Sequence, residues 1–234
     1  MSITILLVLI IVVSLFFDFT NGFHDTANAM ATSIATGALK PKTAVALAGV
    51  LNLVGAFLSV AVAKTVAGGI VKLDVFDLND TLDSERLLLV VFAGLAGGIM
   101  WNLFTWLFGI PSSSSHALFG GLIGAAIAAI GFDGVVWGGV LDKIILPALF
   151  APFVAGLIAA IGTWLVYKLT ANAEKEHRDN YFRWGQIGTA SLVALAHGTS
   201  DAQKTMGVIF LAMVAAGQFG SDHPMPFWIQ LACA

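Results

Sequence analysis

Apolar segments of membrane-spanning length recur along the chain, and short polar segments separate them. The spans cover residues 3–19, 43–63, 87–108, 117–130, 144–169 and 187–216, and a last apolar stretch covers 226–234. A helix needs about 20 mostly apolar residues to cross a bilayer. The pattern therefore predicts an all-α integral membrane protein that crosses the bilayer several times, with one short span at 117–130.

The composition supports lipid as the solvent for much of the surface. Hydrophobic residues make up 58% of the 234 residues and charged residues 11%, whereas soluble domains carry about 25% charged residues. The net charge of −3 and the absence of a basic patch argue against nucleic acid as a partner. The first apolar segment lacks a basic leading region, which predicts a retained span and not a signal peptide.

Basic residues predict the orientation of the spans. Lys168, Lys175, Arg178 and Arg183 lie in one polar loop, and an excess of Lys and Arg marks the cytoplasmic side. Alternation from that loop places 40–42 and 109–112 inside as well, and 74–85 and 131–143 outside. The predicted location is therefore the cytoplasmic (inner) membrane, with several passes.

Three polar segments interrupt the apolar pattern. They are residues 18–28, 109–116 and 197–204. Non-helical backbone at membrane depth is tolerated only where protein buries it or where it lines a wet cavity. We therefore predict re-entrant or broken helices at these three segments, and we take them as the candidate functional site.

The first and third interruptions share a spacing of Gly, Asp and Met, in residues 22–30 and 198–206. The predicted orientations of these two segments are opposite, which indicates the inverted repeat of many secondary transporters. The expected organisation is a first repeat at 1–169, a cytoplasmic loop at 170–185 and the start of a second repeat at 186–234. No second hairpin motif follows before the last residue, so the second repeat is expected to be truncated.

Asp25 is the strongest single candidate for a residue that binds a cation or a proton. A carboxylate inside the bilayer is normally paired, protonated or bound to a cation, and Asp201 repeats the pattern. Asn28 lies one helical turn after Asp25, so both side chains can face one point. Their oxygens suit a small cation such as sodium, although Asp25 could instead carry a proton. The structural alternative is an interfacial Asp that caps a helix.

The hairpin segment predicts an anion site. Serines at 112–115 follow a proline and precede an apolar helix, so their hydroxyls would lie at a helix N-terminus whose N–H groups attract anions. The alternative is a capped polar loop at the membrane surface. His116 could shuttle a proton or donate a hydrogen bond.

Two further polar residues are supporting candidates. Asn52 lies in an apolar span, where it would hydrogen-bond a neighbouring helix or orient the Asp25 region. Lys204 would pair with an anion or with an Asp. Lys204 occupies the position in the second motif that corresponds to Asn28 in the first, so the second motif lacks that oxygen ligand.

These motifs together resemble those of the inorganic phosphate transporter (PiT) family. Residues 22–30, GFHDTANAM, resemble its first signature, G-A-N-D-x-A-N-A. Residues 196–207, AHGTSDAQKTMG, resemble the bacterial form of the second, A-H-G-x-N-D-A-Q-K-x-M-G. Residues 110–116, IPSSSSH, are similar to the hairpin motif P-x-S-x-T-H. The resemblance implies secondary active uptake of inorganic phosphate, driven by sodium or protons.

The resemblance also assigns roles to residues. It implies cation coupling at Asp25 and Asp201, and a functional polar position at Asn52. It implies that phosphate binds the hairpin hydroxyls, which are those of Ser113, Ser114 and Ser115.

The chain departs from both signatures at one position. His24 and Ser200 stand where the family usually has Asn before the signature Asp, and this departure adds weight to proton coupling. Ser200 is therefore kept as a supporting candidate of the second signature.

Other functions stay open at this stage. A permease for sulfate or for a metal–phosphate complex would use similar chemistry, and a truncated chain could be a non-transporting fragment or subunit. An intramembrane hydrolase is disfavoured because Ser115 and His116 are adjacent and diverge on a helix. No enzyme activity and no cofactor are expected beyond the coupling ion. Pairing into a homodimer is compatible with this interpretation.

Overall fold

The computed structural model describes residues 2–60, 63, 66, 69–78, 80–110, 112–171, 175–220 and 223–234, without the side chains of 23–28 and 175–178. Helices dominate this part of the chain, as the apolar pattern predicts. They are α1 Ile3–Ala35, α2 Pro41–Ala56, α3 Thr81–Leu107, α4 Ser114–Ile130, α5 Trp137–Thr170, α6 Lys175–Ala215 and α7 Phe227–Cys233. Helix α5 contains a π-helical turn at Leu141–Ile145.

Three segments of the described chain are long and apolar enough to cross a membrane. They are Ile3–Gly22, Thr81–Leu107 and Trp137–Thr170, while Pro41–Ala56 and Ser114–Ile130 are shorter apolar helices. The predicted all-α membrane fold is therefore confirmed. The spans predicted at 43–63 and 87–108 differ from the helices at their ends, because α2 ends at Ala56 and α3 begins at Thr81 with Asp80 as its N-cap.

Two of the three predicted helix breaks are wrong. Helix α1 runs without interruption through residues 18–28, and α6 runs without interruption through 197–204. Polar side chains do not themselves break a helix, because the backbone groups keep their intrahelical partners. Asn21 of the first segment and Asp201 of the third instead bond to each other across the contact between α1 and α6.

The third break is present. Helix α3 ends at Leu107, and Gly109 turns the chain with a φ of 65°, a conformation that favours glycine. The Ser113 side chain then accepts a hydrogen bond from the His116 N–H and caps α4. The hairpin predicted at 109–116 is therefore a helix–turn–helix connection whose serines lie at the N-terminus of α4.

Small residues let α3 and α4 approach closely. A Cβ on Gly121 would meet the Gly94 carbonyl group of α3, with the Gly94 carbon at 3.1 Å and the Gly98 nitrogen at 3.2 Å. Leu118 and Leu122 of α4 are fully buried beside this crossing. Helix α5 differs, because none of the residues in its Leu146–Thr170 part is buried.

We expect Gly121→Ala to lower the stability of the protein, because the added methyl group meets the α3 backbone, which cannot move aside as a side chain can. Overpacking of this kind costs about 1–3 kcal/mol. The measurement is the midpoint of thermal unfolding of the purified protein in detergent. Gly120→Ala is the matched control, since nothing lies within 4 Å of a Cβ at Gly120. Equal midpoints for the two variants would contradict the close α3–α4 crossing.

Candidate functional site

A network of hydrogen bonds and ion pairs surrounds Asp201 where α1 and α6 pack together. Lys204 Nζ lies 2.5 Å from Asp201 Oδ1, and His197 Nε2 lies 2.9 Å from Asp201 Oδ2. Asn21 of α1 donates its Nδ2 hydrogen to Asp201 Oδ2 at 2.8 Å. The helical spacing of α6 places His197 and Lys204 on the same face as Asp201. Asp201 is therefore surrounded by donors, one of them from the other helix.

Lys204 connects this network to the hairpin. Its Nζ donates to Ser114 Oγ at 3.4 Å, and its side chain is only 6% exposed. A buried ammonium group requires a nearby opposite charge and hydrogen-bond acceptors, which Asp201 and Ser114 supply. The structure thus brings together two segments, the hairpin and the second signature, that are distant in sequence.

The four hairpin serines have different surroundings. Ser114 is buried and faces Lys204, whereas Ser113 is exposed and bonds His116, with Ser113 Oγ 2.8 Å from His116 Nδ1. Ser112 accepts a hydrogen bond from the Trp101 indole at 3.1 Å. Ser115 is half-buried and lies with His116 beside α5. Of the predicted phosphate ligands, only Ser114 contacts the Asp201 network in the described chain.

A cavity of about 290 Å³ lies beside the network. Asp18 and Asn21 of α1, Asn52 of α2, and His197 and Asp201 of α6 are among the residues that line it. Asn52 is placed by a backbone crossing with α6, since a Cβ on Gly198 would lie 2.5 Å from the Asn52 Cα. The Oδ1 atom of Asn52 is buried without a hydrogen-bond partner.

Other predicted site residues stay apart or lie outside the described part. The side chains of Asp25 and Asn28 are not described, so their predicted cation site remains a prediction. Ser200 is exposed and does not line the cavity. Among the residues searched, no group of three or more His, Cys, Asp or Glu could hold a metal ion.

Three residues of the site lie within the candidate segments 18–28 and 197–204, but the sequence pattern assigned no role to any of them. Asn21 and His197 contact Asp201 directly. The Asp18 carboxylate is repelled by the charge of Asp201 and attracted by that of Lys204. Asp18 can be recognised as a candidate from the sequence alone, because an acidic residue in an apolar span is rare. Asn21 and His197 precede the two matched glycines, Gly22 and Gly198, so they occupy equivalent positions in the two repeat motifs.

The fold and the site together define a multi-spanning helical membrane protein with a polar network buried between its helices. A family described as the phosphate transporter family matches residues 21–234. The chain belongs to this family. The predicted family and the predicted absence of enzyme activity are therefore confirmed, since the members it matches are transporters.

Individual relatives support the same conclusion. A probable low-affinity inorganic phosphate transporter of Mycobacterium tuberculosis (strain H37Rv) is 56% identical over 230 residues, which are 98% of this chain and 53% of the relative. A probable low-affinity inorganic phosphate transporter of Bacillus subtilis is 44% identical, over 98% of this chain and 66% of the relative. The chain thus spans about half to two thirds of the length of these relatives.

A solved structure shares the fold. It is described as the sodium-dependent phosphate transporter, and it matches with a TM-score of 0.85 at 21% identity. The match covers 97% of this chain and 72% of that one. At this level of identity the match shows the fold alone.

Proposed function

We propose that this chain forms part of a secondary transporter that moves inorganic phosphate together with a cation across the cytoplasmic membrane. The observation that carries the proposal is the contact from Ser114 through Lys204 to Asp201. It joins the serine hairpin to the second signature segment, which are the two segments with chemistry suited to an anion and to a cation. Family membership supplies the substrate.

Phosphate binds near the N-terminus of α4. Ser114 and Lys204 offer a hydroxyl and an ammonium group that suit phosphate oxygens, and the helix N-terminus adds a favourable dipole. Ser113 and Ser115 lie at the same helix end and remain further candidates for the same role. Because Lys204 is paired with Asp201, the anion meets no net positive charge, and it can be released again.

Cation coupling follows from the carboxylates. Asp25, with Asn28 as an oxygen ligand, repels phosphate until a cation or a proton reduces its negative charge. Asp201 takes part in coupling through its ion pair with Lys204. Sodium is favoured over a proton because the solved transporter of the same fold is sodium-dependent. Asn52 and His197 line the adjoining cavity and orient this region.

We infer alternating access from the contact between α1 and α6. Helices α1 and α6 carry the two signature segments and are joined by the bond from Asn21 to Asp201. This packing agrees with a first repeat at 1–169, a loop at 170–185 and a second repeat that begins at 186. The cation and phosphate bind between the repeats, which rock against each other in the lipid bilayer.

The direct test is uptake of radiolabelled phosphate by cells that lack their own phosphate transporters. The protein is expressed from its complete reading frame and assayed with and without sodium, and with a protonophore. Uptake that requires sodium is expected. Uptake abolished by the protonophore alone would assign a proton to the carboxylates. Absence of phosphate uptake, with the protein present in the membrane, would contradict the proposal, and sulfate would then be tested.

We expect Ser114→Ala to raise the KM for phosphate by about tenfold or more, because a hydrogen bond to a charged group is lost. The fold should persist, since Ser113 and not Ser114 caps α4. The measurement is concentration-dependent phosphate uptake in proteoliposomes. Ser2→Ala is the control, since Ser2 lies at the N-terminus of α1 and not in the hairpin. An unchanged KM in Ser114→Ala would remove Ser114 from the phosphate site.

A further inference from the structure

Asp201 already has a cation beside it. The Lys204 ammonium group lies 2.5 Å from Oδ1, and His197 and Asn21 both lie within 2.9 Å of Oδ2. Both carboxylate oxygens therefore have donors from the protein itself. A free cation would have to displace Lys204 to bind Asp201, so a coupling cation needs another carboxylate in this part of the chain.

Asp18 is such a carboxylate. It lies on the apolar helix α1 and lines the same cavity as Asp201. The charges of both Asp201 and Lys204 act on its carboxylate. Within the described side chains, no Lys, Arg or His forms an ion pair with it. A carboxylate at this depth normally has a partner of opposite charge. Lys204 therefore acts on Asp18 without contact, and in the described side chains its ion pair belongs to Asp201.

Two buried side-chain oxygen atoms near Asp18 can accept a further contact. The Thr205 hydroxyl of α6 lies beside the Asp18 carboxylate, which can accept its hydrogen, and the Thr205 oxygen is fully buried with its lone pairs unused. The Asn21 Oδ1 atom, on the next turn of α1, is buried without a partner, while its Nδ2 group is used by Asp201. Buried polar atoms in proteins nearly always have a partner. The Asn21 oxygen therefore requires a bound donor or cation, and the Thr205 oxygen can contribute to the same site.

We propose that Asp18, Asn21 and Thr205 form a binding site for a monovalent cation, with sodium as the ion, at the contact between α1 and α6. A carboxylate, an amide oxygen and a hydroxyl are hard ligands that suit such an ion. A single carboxylate balances a single positive charge, which favours a monovalent ion over a divalent one. This site differs from the one predicted at Asp25 and Asn28.

The role of this site in coupling depends on the proposed function. A cation at Asp18 removes negative charge from the cavity that also contains Asp201, and it lies close to Lys204, which contacts the hairpin. Its occupancy therefore favours the approach of an anion to Ser114. Lys204 acts as a fixed cation in the second repeat, and the ion at Asp18 is the mobile one.

The first test measures binding of radiolabelled sodium to the purified full-length protein in detergent, without phosphate. We expect saturable binding to the wild type and a Kd that is about tenfold or more higher in Asp18→Asn and in Thr205→Val, because each variant removes an oxygen ligand or its charge. Thr205→Ser returns the hydroxyl and should recover affinity relative to Thr205→Val. Wild-type affinity in Asp18→Asn, or no sodium binding by the wild type, would overturn the proposal.

Asp133→Asn is the matched control, since Asp133 is exposed in a loop away from the cavity. Its sodium affinity should equal that of the wild type, and an equal loss in both Asp variants would overturn the assignment to Asp18. Thr205→Val is nearly isosteric and keeps the test valid if Asp18→Asn fails to fold.

The second test measures sodium-dependent phosphate uptake in proteoliposomes. Asp18→Asn is expected to need about tenfold or more sodium for half-maximal uptake and to lower the Hill coefficient for sodium. Unchanged sodium dependence in this variant would overturn the role of the site in coupling. If the wild type binds sodium in detergent but transports no phosphate, the proposed function fails while the cation site stands.

Discussion

Asp201→Asn is expected to reduce phosphate uptake to background and to destabilise the protein. The substitution removes the negative charge that lies 2.5 Å from Lys204 Nζ, and Lys204 is buried with a side chain that is 6% exposed. Removing one partner of a buried ion pair costs about 3–5 kcal/mol, because the remaining charge is left uncompensated. The measurements are phosphate uptake in proteoliposomes and the midpoint of thermal unfolding in detergent.

A double variant separates the structural effect from the functional one. Asp201→Asn with Lys204→Gln leaves neither member of this ion pair charged, so the unfolding midpoint should return towards that of the wild type, while uptake stays at background. If Asp201→Asn alone transports normally, Asp201 has no role in coupling. If Asp201→Asn unfolds at the wild-type temperature, the ion pair with Lys204 does not support the fold.

The second large effect is expected from Gly198→Ala. A Cβ at this position would meet the backbone of Asn52, with the Asn52 Cα at 2.5 Å, so α2 and α6 would have to move apart. The resulting cost is about 1–3 kcal/mol. Because both helices line the cavity beside Asp201, uptake should fall together with stability. The measurements are the same two as for Asp201→Asn.

Gly188→Ala tests whether the close approach causes the effect. Gly188 lies on the same helix as Gly198, but nothing lies within 4 Å of a Cβ added there. Alanine in a helix interior is about 1 kcal/mol more favourable than glycine, so this variant should be at least as stable as the wild type. An equal loss of uptake in Gly188→Ala and Gly198→Ala would mean that helix α6 responds to any added methyl group.

The membrane-spanning fold and much of the site can be predicted from the sequence because both depend on local features of the chain. The length of an apolar segment is set by the thickness of the bilayer, so spans can be read from local composition. Polar residues in such spans are costly and therefore mark sites, which directed attention to Asp201 and Lys204. The serine run and its helix are also local features, because a cap and its helix lie within one turn.

The helix breaks show where local reasoning fails. The polar residues of 18–28 and 197–204 predict interruptions, yet α1 and α6 run through them. Whether a polar side chain in a span is tolerated depends on its partner, and the partner of Asn21 is Asp201 on another helix. Such a pair involves residues far apart in sequence, so no local pattern contains it.

The sequence by itself determined that this protein is helical, that it spans a membrane and that it belongs with transporters of phosphate. These properties depend on composition, segment length and short motifs. Only the tertiary structure decided which polar residues meet. It placed Lys204 between Asp201 and Ser114, and it placed Asp18 beside Thr205 without a counter-ion in the described chain. Those contacts depend on how closely helices approach, and small residues such as Gly198 permit that approach through backbone packing.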